Sequence, residues 1–393
     1  MISGVVGEAD VLSASRAGAR TLAIAPGAVV TVLAREAAER LGVVLQIGPL
    51  EQPAQAAPDG ATATRRLLYR RHPGWVAPEP LRGRMPVRLR RLVIVGAGGV
   101  GANTAHLATI AGMADEIILI DLVPGLAESV ALDVMHASGI TNSTSHVRGG
   151  TGFELLAGAD VVVVTAGRPR SPGMSRNDLV DVNGRVIRSI SEQIAAHAPD
   201  AIVVMVTNPL DEMTEAALVA TGFPRQRVLG MAGTLDSSRF RYHLAVAAGV
   251  NPADVSAFTL GSHGAEMVPV TSQATIAGKP IQAVLTPEVI ARAVKDTIEG
   301  GAAVVSLRRT GSATIAPAHA IIEVLDGIRG ARAGPIPVSV RLEGEYGIDG
   351  TVVGVPAVLG RSGVIEVVEL QLSGKELAAL RRSAQAVRSR INV

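Results

Sequence analysis

A glycine-rich turn between an apolar strand and a helix constrains this chain more than any other feature of its sequence. The run 91–95 (Arg-Leu-Val-Ile-Val) leads into Gly96-Ala-Gly98-Gly-Val-Gly101, and a helical pattern follows. In such a turn the first glycine allows a tight bend, the second lets the backbone approach a pyrophosphate, and the third permits close packing of helix on strand. Amides at the helix N-terminus then bind phosphate. The turn therefore predicts a dinucleotide site on an α/β sheet.

Asp121 ends the next apolar run, twenty residues after Gly101. A carboxylate at this point accepts hydrogen bonds from a ribose diol and repels a 2′-phosphate. The alternative is that Asp121 only caps the turn before Pro124. The first interpretation predicts that NAD is bound in preference to NADP.

Short apolar runs alternate with helical patterns from residue 85 onward. The predicted strands cover 92–95, 117–120, 161–165 and 202–206. Runs of this kind are typical of a parallel sheet that is buried on both faces. The pattern predicts a Rossmann-type doubly wound domain over residues 85–232.

The order of elements becomes mixed over residues 233–393, which predicts a second, α+β catalytic domain. The predicted helices lie at 235–249, near 286–300, near 312–328 and at 373–391. The predicted strands lie at 255–260, 336–342, 351–358 and 364–370.

Residues 1–84 precede these two domains as an extension with its own small α/β unit. A strand at 21–25 is followed by a helix at 32–41, with Thr31 as N-cap and Gly42 at its end. Residues 48–64 have the composition of a linker. Residues 65–91 hold nine arginines against one acid, a charge of +8 that leaves −6 for the rest. This stretch could bind a polyanion, but its four prolines favour a solvated linker that docks on the acidic body.

Composition excludes several classes of site. The chain of 393 residues has no cysteine, which excludes disulfides, thiolate metal sites and cysteine nucleophiles, and we predict no metal. Aromatic residues make up 2% and the net charge is +2, so we expect no nucleic-acid partner. No secretory signal and no apolar run of about 20 residues is present, so we expect a soluble cytoplasmic protein that does not enter membranes.

Three further segments carry candidate catalytic chemistry. The loop 165–176 follows a strand, contains three arginines, and suits a mobile lid over an anionic substrate. Asp236 and Arg239 are three residues apart on a predicted helix and share a face. His263 lies between glycines just past a strand, an exposed position for a proton donor whose pKa Asp236 could raise. The alternatives are a solvated loop and an ordinary surface ion pair.

Taken together, these motifs resemble the lactate/malate dehydrogenase family. Within that family they resemble the malate dehydrogenases, particularly the branch that is closer in sequence to lactate dehydrogenases. The matching segments are VGAGGVG (95–101), the ILID run ending at Asp121, TAGRPRSPGMSR (165–176), VTNPLDEMT (206–214), GMAGTLDSSRFR (230–241), LGSHGAEMVPV (260–270), RTGSATIAPA (309–318) and LEGEYGIDGTVVGVP (342–356). The resemblance covers residues 88–393. The chain departs from the family pattern at two places. Ala265 stands where relatives commonly carry an acid, and Thr314-Ile315 stand where they commonly carry aromatic residues.

The resemblance implies a role for each candidate catalytic residue. His263, protonated and paired with Asp236, would donate a proton to a ketone as NADH delivers hydride. Arg239 would bind the C1 carboxylate. Arg176, on the closing loop, would stabilise the developing alkoxide, and Asn208 would hydrogen-bond the reacting oxygen.

Substrate choice is expected to rest on Arg170, which would bind a second carboxylate. Lactate dehydrogenases usually carry an uncharged residue there, because a buried guanidinium without a partner is costly. The predicted cofactor-binding residues are Gly96, Gly98, Gly101, Asp121, Asn183 and Asn208.

The function that the resemblance implies is NAD-dependent interconversion of malate and oxaloacetate by a homodimer or homotetramer. Two alternatives stay open: a dehydrogenase for lactate or another 2-hydroxy acid, and a non-catalytic NAD-binding scaffold. Residues 1–47 faintly resemble short segments on proteins of bacterial microcompartments, which would make the extension an assembly signal. Alternatively, Met85 is the true initiator.

Overall fold

The computed structural model describes residues 4–48, 69–70, 86–168, 176–309 and 311–391. The chain divides into two compact units, Met1–Leu67 and Leu68–Val393. We call the first the N-terminal unit and the second the main body.

The N-terminal unit contains two consecutive strand–helix–strand segments. Its elements are β1 (Val5–Val6), α1 (Glu8–Arg16), β2 (Thr21–Ile24), β3 (Val29–Val30), α2 (Val32–Leu41) and β4 (Val44–Ile47). Strand β1 pairs in parallel with β3, and β2 with β4. The predicted helix ends are confirmed, because the Thr31 hydroxyl accepts the N–H of Ala34 and Gly42 is left-handed, with φ of 65°. The sequence interpretation missed the first strand and helix.

The first half of the main body is the predicted Rossmann-type arrangement. Its elements are β5 (Tyr69–Arg70), β6 (Leu89–Val95), α3 (Gly99–Ile110), β7 (Ala114–Ile120), α4 (Leu126–Thr141), β8 (His146–Gly150), β9 (Val161–Val164), α5 (Arg176–His197), β10 (Ile202–Met205), α6 (Leu210–Thr221) and β11 (Val228–Gly230). Strands β8, β7, β6, β9, β10 and β11 are neighbours in that order and run parallel. The side chains of β9, β10 and β11 and most of those of β6 and β7 are buried, whereas in the edge strand β8 only Val147 is buried. Helices pack on both faces.

The second half of the main body extends the same sheet with antiparallel strands. Its elements are α7 (Gly233–Ala248), β12 (Val255–Ser256), β13 (Thr259–Gly261), β14 (Met267–Pro269), β15 (Thr275–Ile276), β16 (Lys279–Pro280), α8 (Pro287–Arg308), α9 (Ile315–Ile328), β17 (Ile336–Glu343), β18 (Asp349–Gly360), β19 (Gly363–Val367), β20 (Glu369–Leu370) and α10 (Gly374–Ile391). Strand β17 pairs with β11, and β18, β13 and β14 continue the sheet. The short strand β5 pairs with β20.

Three predicted elements of this half differ from the structure. The strand predicted at 364–370 is two strands, because β19 pairs with β18 while β20 pairs with β5. The strand predicted at 255–260 is two strands, because β12 pairs with β15 in a separate small sheet while β13 joins the main sheet. Helix α8 continues past residue 300 to Arg308, so Gly300 and Gly301 do not end it. Within the described ranges, no helix is both long and apolar enough to cross a bilayer.

Candidate active site

The glycine turn lies between β6 and α3 and is too tight for side chains at two of its three positions. A Cβ on Gly96, whose φ is 106°, would lie 2.6 Å from the backbone nitrogen of Ala166. A Cβ on Gly101 would lie 1.9 Å from the carbonyl oxygen of Gly96. Gly98 differs, because nothing lies within 4 Å of a Cβ there. The turn thus leaves open space at the N-terminus of α3, where a pyrophosphate fits.

Asp121, at the end of β7, is held beside this turn. Its Oδ2 accepts the N–H of Ala97 at 2.8 Å, and its Oδ1 accepts the N–H of Val123 at 3.0 Å. The carboxylate therefore caps its own turn, as the alternative interpretation expects, and it also lies against the glycine turn, where the first interpretation places the ribose. A carboxylate has lone pairs beyond these two bonds for a ribose diol.

A cleft of about 590 Å³ joins the glycine turn to the histidine loop. The residues that line it include Gly98, Thr165, Asn208, His263 and Thr314. It lies at the carboxyl ends of the parallel strands, where open α/β sheets bind their ligands. A cofactor bound at the turn would therefore share one space with His263.

Hydrogen bonds link the side chains of His263, Asp236 and Arg239 at this cleft. His263 Nδ1 lies 2.7 Å from Asp236 Oδ2, and Arg239 Nη1 donates to Asp236 Oδ1 at 2.9 Å. The Asp236 side chain is 2% exposed and that of His263 20%. Burial alone lowers the pKa of His263, but the charge and hydrogen bond of Asp236 outweigh it and raise that pKa above 6.5. The imidazole is thus suited to carry a proton near neutral pH.

Asp211, in the first turn of α6, also contacts the histidine loop, and the sequence analysis assigned it no role. Its Oδ2 accepts the main-chain N–H of His263 at 2.8 Å, and the Ser339 hydroxyl donates to its Oδ1 at 2.7 Å. Burial raises the pKa of this carboxyl, and the bond from Ser339 opposes the rise. Asp211 lies in the segment VTNPLDEMT, but its contacts are 52 and 128 residues away. No local pattern reveals them.

Asn183 and Asn208 are brought together at the back of the cleft. Asn183 is fully buried, and its amide donates to the carbonyls of Asn208 at 2.7 Å and Arg168 at 3.1 Å. Its Oδ1 accepts the N–H of Arg168 at 2.8 Å. Asn183 thus holds the backbone beside the cleft, and its role in binding the cofactor stays a prediction. Asn208 is exposed and lines the cleft, where its predicted contact with the reacting oxygen would be made.

Two predicted substrate contacts cannot be placed. Arg170 lies outside the described residues, as does the side chain of Arg176, whose backbone begins α5. Thr314, one of the departures from the family pattern, lies against Gly99 and lines the cleft. Among the residues that the structure describes, no cluster of three or more His, Asp or Glu side chains could hold a metal ion.

Comparisons with known proteins agree with this architecture. Residues 90–230 match the NAD binding domain of lactate/malate dehydrogenase, and residues 233–393 match its alpha/beta C-terminal domain. A malate dehydrogenase of Trichormus variabilis is 45% identical over 304 residues, which are 77% of this chain and 94% of that protein. A malate dehydrogenase of Chloroherpeton thalassium is 41% identical over 298 residues, 76% of this chain and 96% of that protein.

Solved structures give the same result. The crystal structure of Cryptosporidium parvum malate dehydrogenase matches with a TM-score of 0.75 and 35% identity, covering 78% of this chain and 98% of that one. The lactate dehydrogenase of the same organism, complexed with lactic acid and nicotinamide adenine dinucleotide, matches with a TM-score of 0.75 and 34% identity over the same shares. Residues 1–89 lie outside both family matches. Over the rest of its length, the chain belongs to the lactate/malate dehydrogenase family.

Proposed function

We propose that the chain is an NAD-dependent malate dehydrogenase that interconverts malate and oxaloacetate. The observation that carries the proposal is the hydrogen-bonded set of side chains His263, Asp236 and Arg239, at a cleft that also contains the glycine turn. A general acid beside a cation suits a 2-oxo acid, because the ketone needs a proton and the neighbouring carboxylate needs a positive partner. The names of the relatives support malate as the substrate.

The cofactor site is assigned to the glycine turn and Asp121. The open space at Gly98 admits a pyrophosphate, and Asp121 favours an unphosphorylated ribose, hence NAD. When bound, NADH supplies the hydride for the ketone carbon.

The acid–base step is assigned to His263. In reduction, the imidazolium donates its Nε2 proton to the ketone oxygen, while Asp236 holds Nδ1 and stabilises the charged ring. In oxidation, the neutral ring accepts the proton from the hydroxyl. Asn208, which faces the same cleft, would donate its amide N–H to the reacting oxygen.

Substrate binding is assigned to three arginines. Arg239 would bind the C1 carboxylate in a bidentate fork. Next to it, Gly300 and Gly301 on α8 place no side chain against its guanidinium. Arg176 would stabilise the alkoxide, and Arg170 would bind the second carboxylate that malate has and lactate lacks.

Lactate dehydrogenase activity is the second candidate, because the structure with lactic acid bound is equally similar to this chain. Oxidation of NADH in the presence of oxaloacetate and of pyruvate, measured side by side, separates the two. We expect faster turnover of oxaloacetate. Preferred turnover of pyruvate would assign the second function, and turnover of neither would contradict both.

We further propose that the main body forms a homodimer or homotetramer in the cytoplasm. Large apolar side chains are exposed on two of its helices, Leu132 and Ile140 on α4, and Tyr242 and Val246 on α7. Exposed apolar patches of this kind mark protein interfaces. The absence of cysteine fits the reducing cytoplasm.

The N-terminal unit is proposed to be an association module, with a bacterial microcompartment as its candidate partner. Its core is small, and it leaves several apolar side chains exposed, Val5, Val29, Val32, Leu33, Val44 and Ile47. A unit of this size gains little stability from its own core, so a partner that covers these side chains would stabilise it.

Truncation separates the extension from catalysis. Deleting residues 1–67 removes the N-terminal unit but keeps β5 paired with β20, and we expect kcat/KM to stay within about threefold, because no proposed site residue is lost. Recovery of partners in a pull-down should fall. Deleting residues 1–84 tests in addition whether β5 is needed. Loss of activity in the shorter truncation would make the N-terminal unit part of the catalytic fold.

A further inference from the structure

The loop that carries His263 depends on contacts from outside itself. It connects β13 to β14 and contains Gly264, with φ of 142°, next to the histidine, while Gly261 before it has φ of 83°. Glycines of this conformation give a loop freedom rather than rigidity. Proton transfer nevertheless requires the imidazole to be placed closely, since a displacement of about 1 Å can cost about 10²-fold in rate.

Helix α10 contacts this loop on both sides of the histidine. Arg390 Nη2 donates to the hydroxyl of Ser262, one residue before His263, at 3.3 Å. Arg390 Nη1 donates to Glu266 Oε1, three residues after it, at 3.2 Å. Ser383, two helical turns earlier on α10, accepts the N–H of Ser262 through its hydroxyl at 2.7 Å. One face of α10 thus holds the loop at three atoms.

The third side of the Arg390 guanidinium is fixed by α6. Its Nε donates to Glu212, whose side chain is 1% exposed, while that of Arg390 is 14% exposed. Glu212 follows Asp211, which accepts the N–H of His263. The planar guanidinium makes such contacts in fixed directions, which a lysine ammonium would not.

We propose that Arg390 is a positioning residue for His263, which fixes the place of the imidazole by holding its loop between α10 and α6. The proposal rests on the assignment of His263 as the acid–base residue. Arg390 acts through the loop and does not itself line the cleft, so its loss should lower kcat while leaving NADH affinity unchanged.

The test uses the full chain and removes the buried pair together. Removing Arg390 alone would take its positive charge away from the buried Glu212, and breaking one side of a buried ion pair is strongly destabilising. The double variant Arg390→Leu/Glu212→Leu removes both charges of the pair. The matched control is Arg388→Leu, because Arg388 lies on the same helix but contacts Thr351 and Asp349 instead. Circular dichroism checks the folding of each variant, and the fluorescence of NADH measures its affinity for the protein.

In the double variant we expect kcat for oxaloacetate to fall about 10-fold or more, with NADH Kd within about twofold and Arg388→Leu close to the parent protein. Unchanged kcat in a folded double variant would overturn the proposal, as would a parallel loss of NADH affinity. If the double variant does not fold, Glu266→Gln decides, because it weakens the contact of Arg390 with the loop and leaves Arg390 and Glu212 in place. We expect kcat to fall several-fold there, and an unchanged kcat would overturn the proposal.

A measurement that needs no substrate tests this proposal independently of the proposed function. The rate at which diethyl pyrocarbonate modifies His263, followed by mass spectrometry of its peptide, reports the placement of the ring. We expect a several-fold change in the double variant and none in Arg388→Leu. No change in either variant would contradict the positioning role. A parent protein that does not reduce oxaloacetate would contradict only the proposed function.

Discussion

Replacing Asp236 with asparagine should lower kcat for oxaloacetate reduction by about 10²–10⁴-fold, the range that general acid–base catalysis contributes. The Asp236 carboxylate contacts His263 Nδ1 at 2.7 Å and is almost fully buried. Asparagine keeps the shape of the side chain but removes the charge that favours the imidazolium. Steady-state kinetics with NADH and oxaloacetate measure the effect.

Asp254→Asn is the control for this variant, because Asp254 is exposed and lies on a different segment. We expect its kcat to equal that of the parent protein, and NADH affinity to be unchanged in both variants. If Asp236→Asn kept more than about a tenth of the parent kcat, the charge on Asp236 would not drive the proton transfer.

The second large effect concerns substrate choice. Replacing Arg170 with glutamine should lower kcat/KM for oxaloacetate by about 10²–10⁴-fold, because a charge-assisted bidentate contact to the second carboxylate is lost. Turnover of pyruvate relative to oxaloacetate should rise, since a methyl group no longer faces a guanidinium without a partner. Paired kinetics on the two 2-oxo acids measure both changes.

Arg188→Gln is the matched control. Arg188 is exposed on α5, and its replacement removes the same charge at a position outside the cleft. It should leave the ratio of the two substrates unchanged. Unaffected oxaloacetate turnover in Arg170→Gln would mean that another residue binds the second carboxylate.

The parts of the site that sequence could predict are those with a local signal. The glycine turn, with Asp121 after the next strand, is a local pattern, and the structure places Asp121 against the turn. His263 and Asp236 are 27 residues apart, but one follows a strand and the other begins a helix at the same sheet edge. Their pairing at 2.7 Å therefore follows from topology.

The parts that sequence missed depend on pairs that are distant along the chain. Arg390 contacts Ser262 across 128 residues and Glu212 across 178. Neither end has a local pattern that distinguishes it from a surface charge. Asn183 likewise makes three hydrogen bonds to the backbone of Arg168 and Asn208, which no local pattern in the sequence indicates.

The strand predicted at 255–260 was wrong for a similar reason. Four of its six residues are apolar, which is consistent with one buried strand. The structure divides it between two sheets, and the partners that decide this are Ile276 for Val255 and Pro269 for Thr259. Pairing partners, rather than the apolar run itself, set where a strand ends.

The pH dependence of kcat/KM in the two directions tests the central claim most directly. Oxaloacetate reduction needs His263 protonated, so its kcat/KM should be full at low pH and fall as the pH rises through a pKa above 6.5. Malate oxidation needs the neutral ring, so its kcat/KM should rise through the same pKa. In Asp236→Asn, both transitions should move to lower pH, because the carboxylate that raises the pKa is gone. Profiles that do not mirror each other, or transitions that stay in place in the variant, would contradict the assignment of His263 and Asp236 as the acid–base pair.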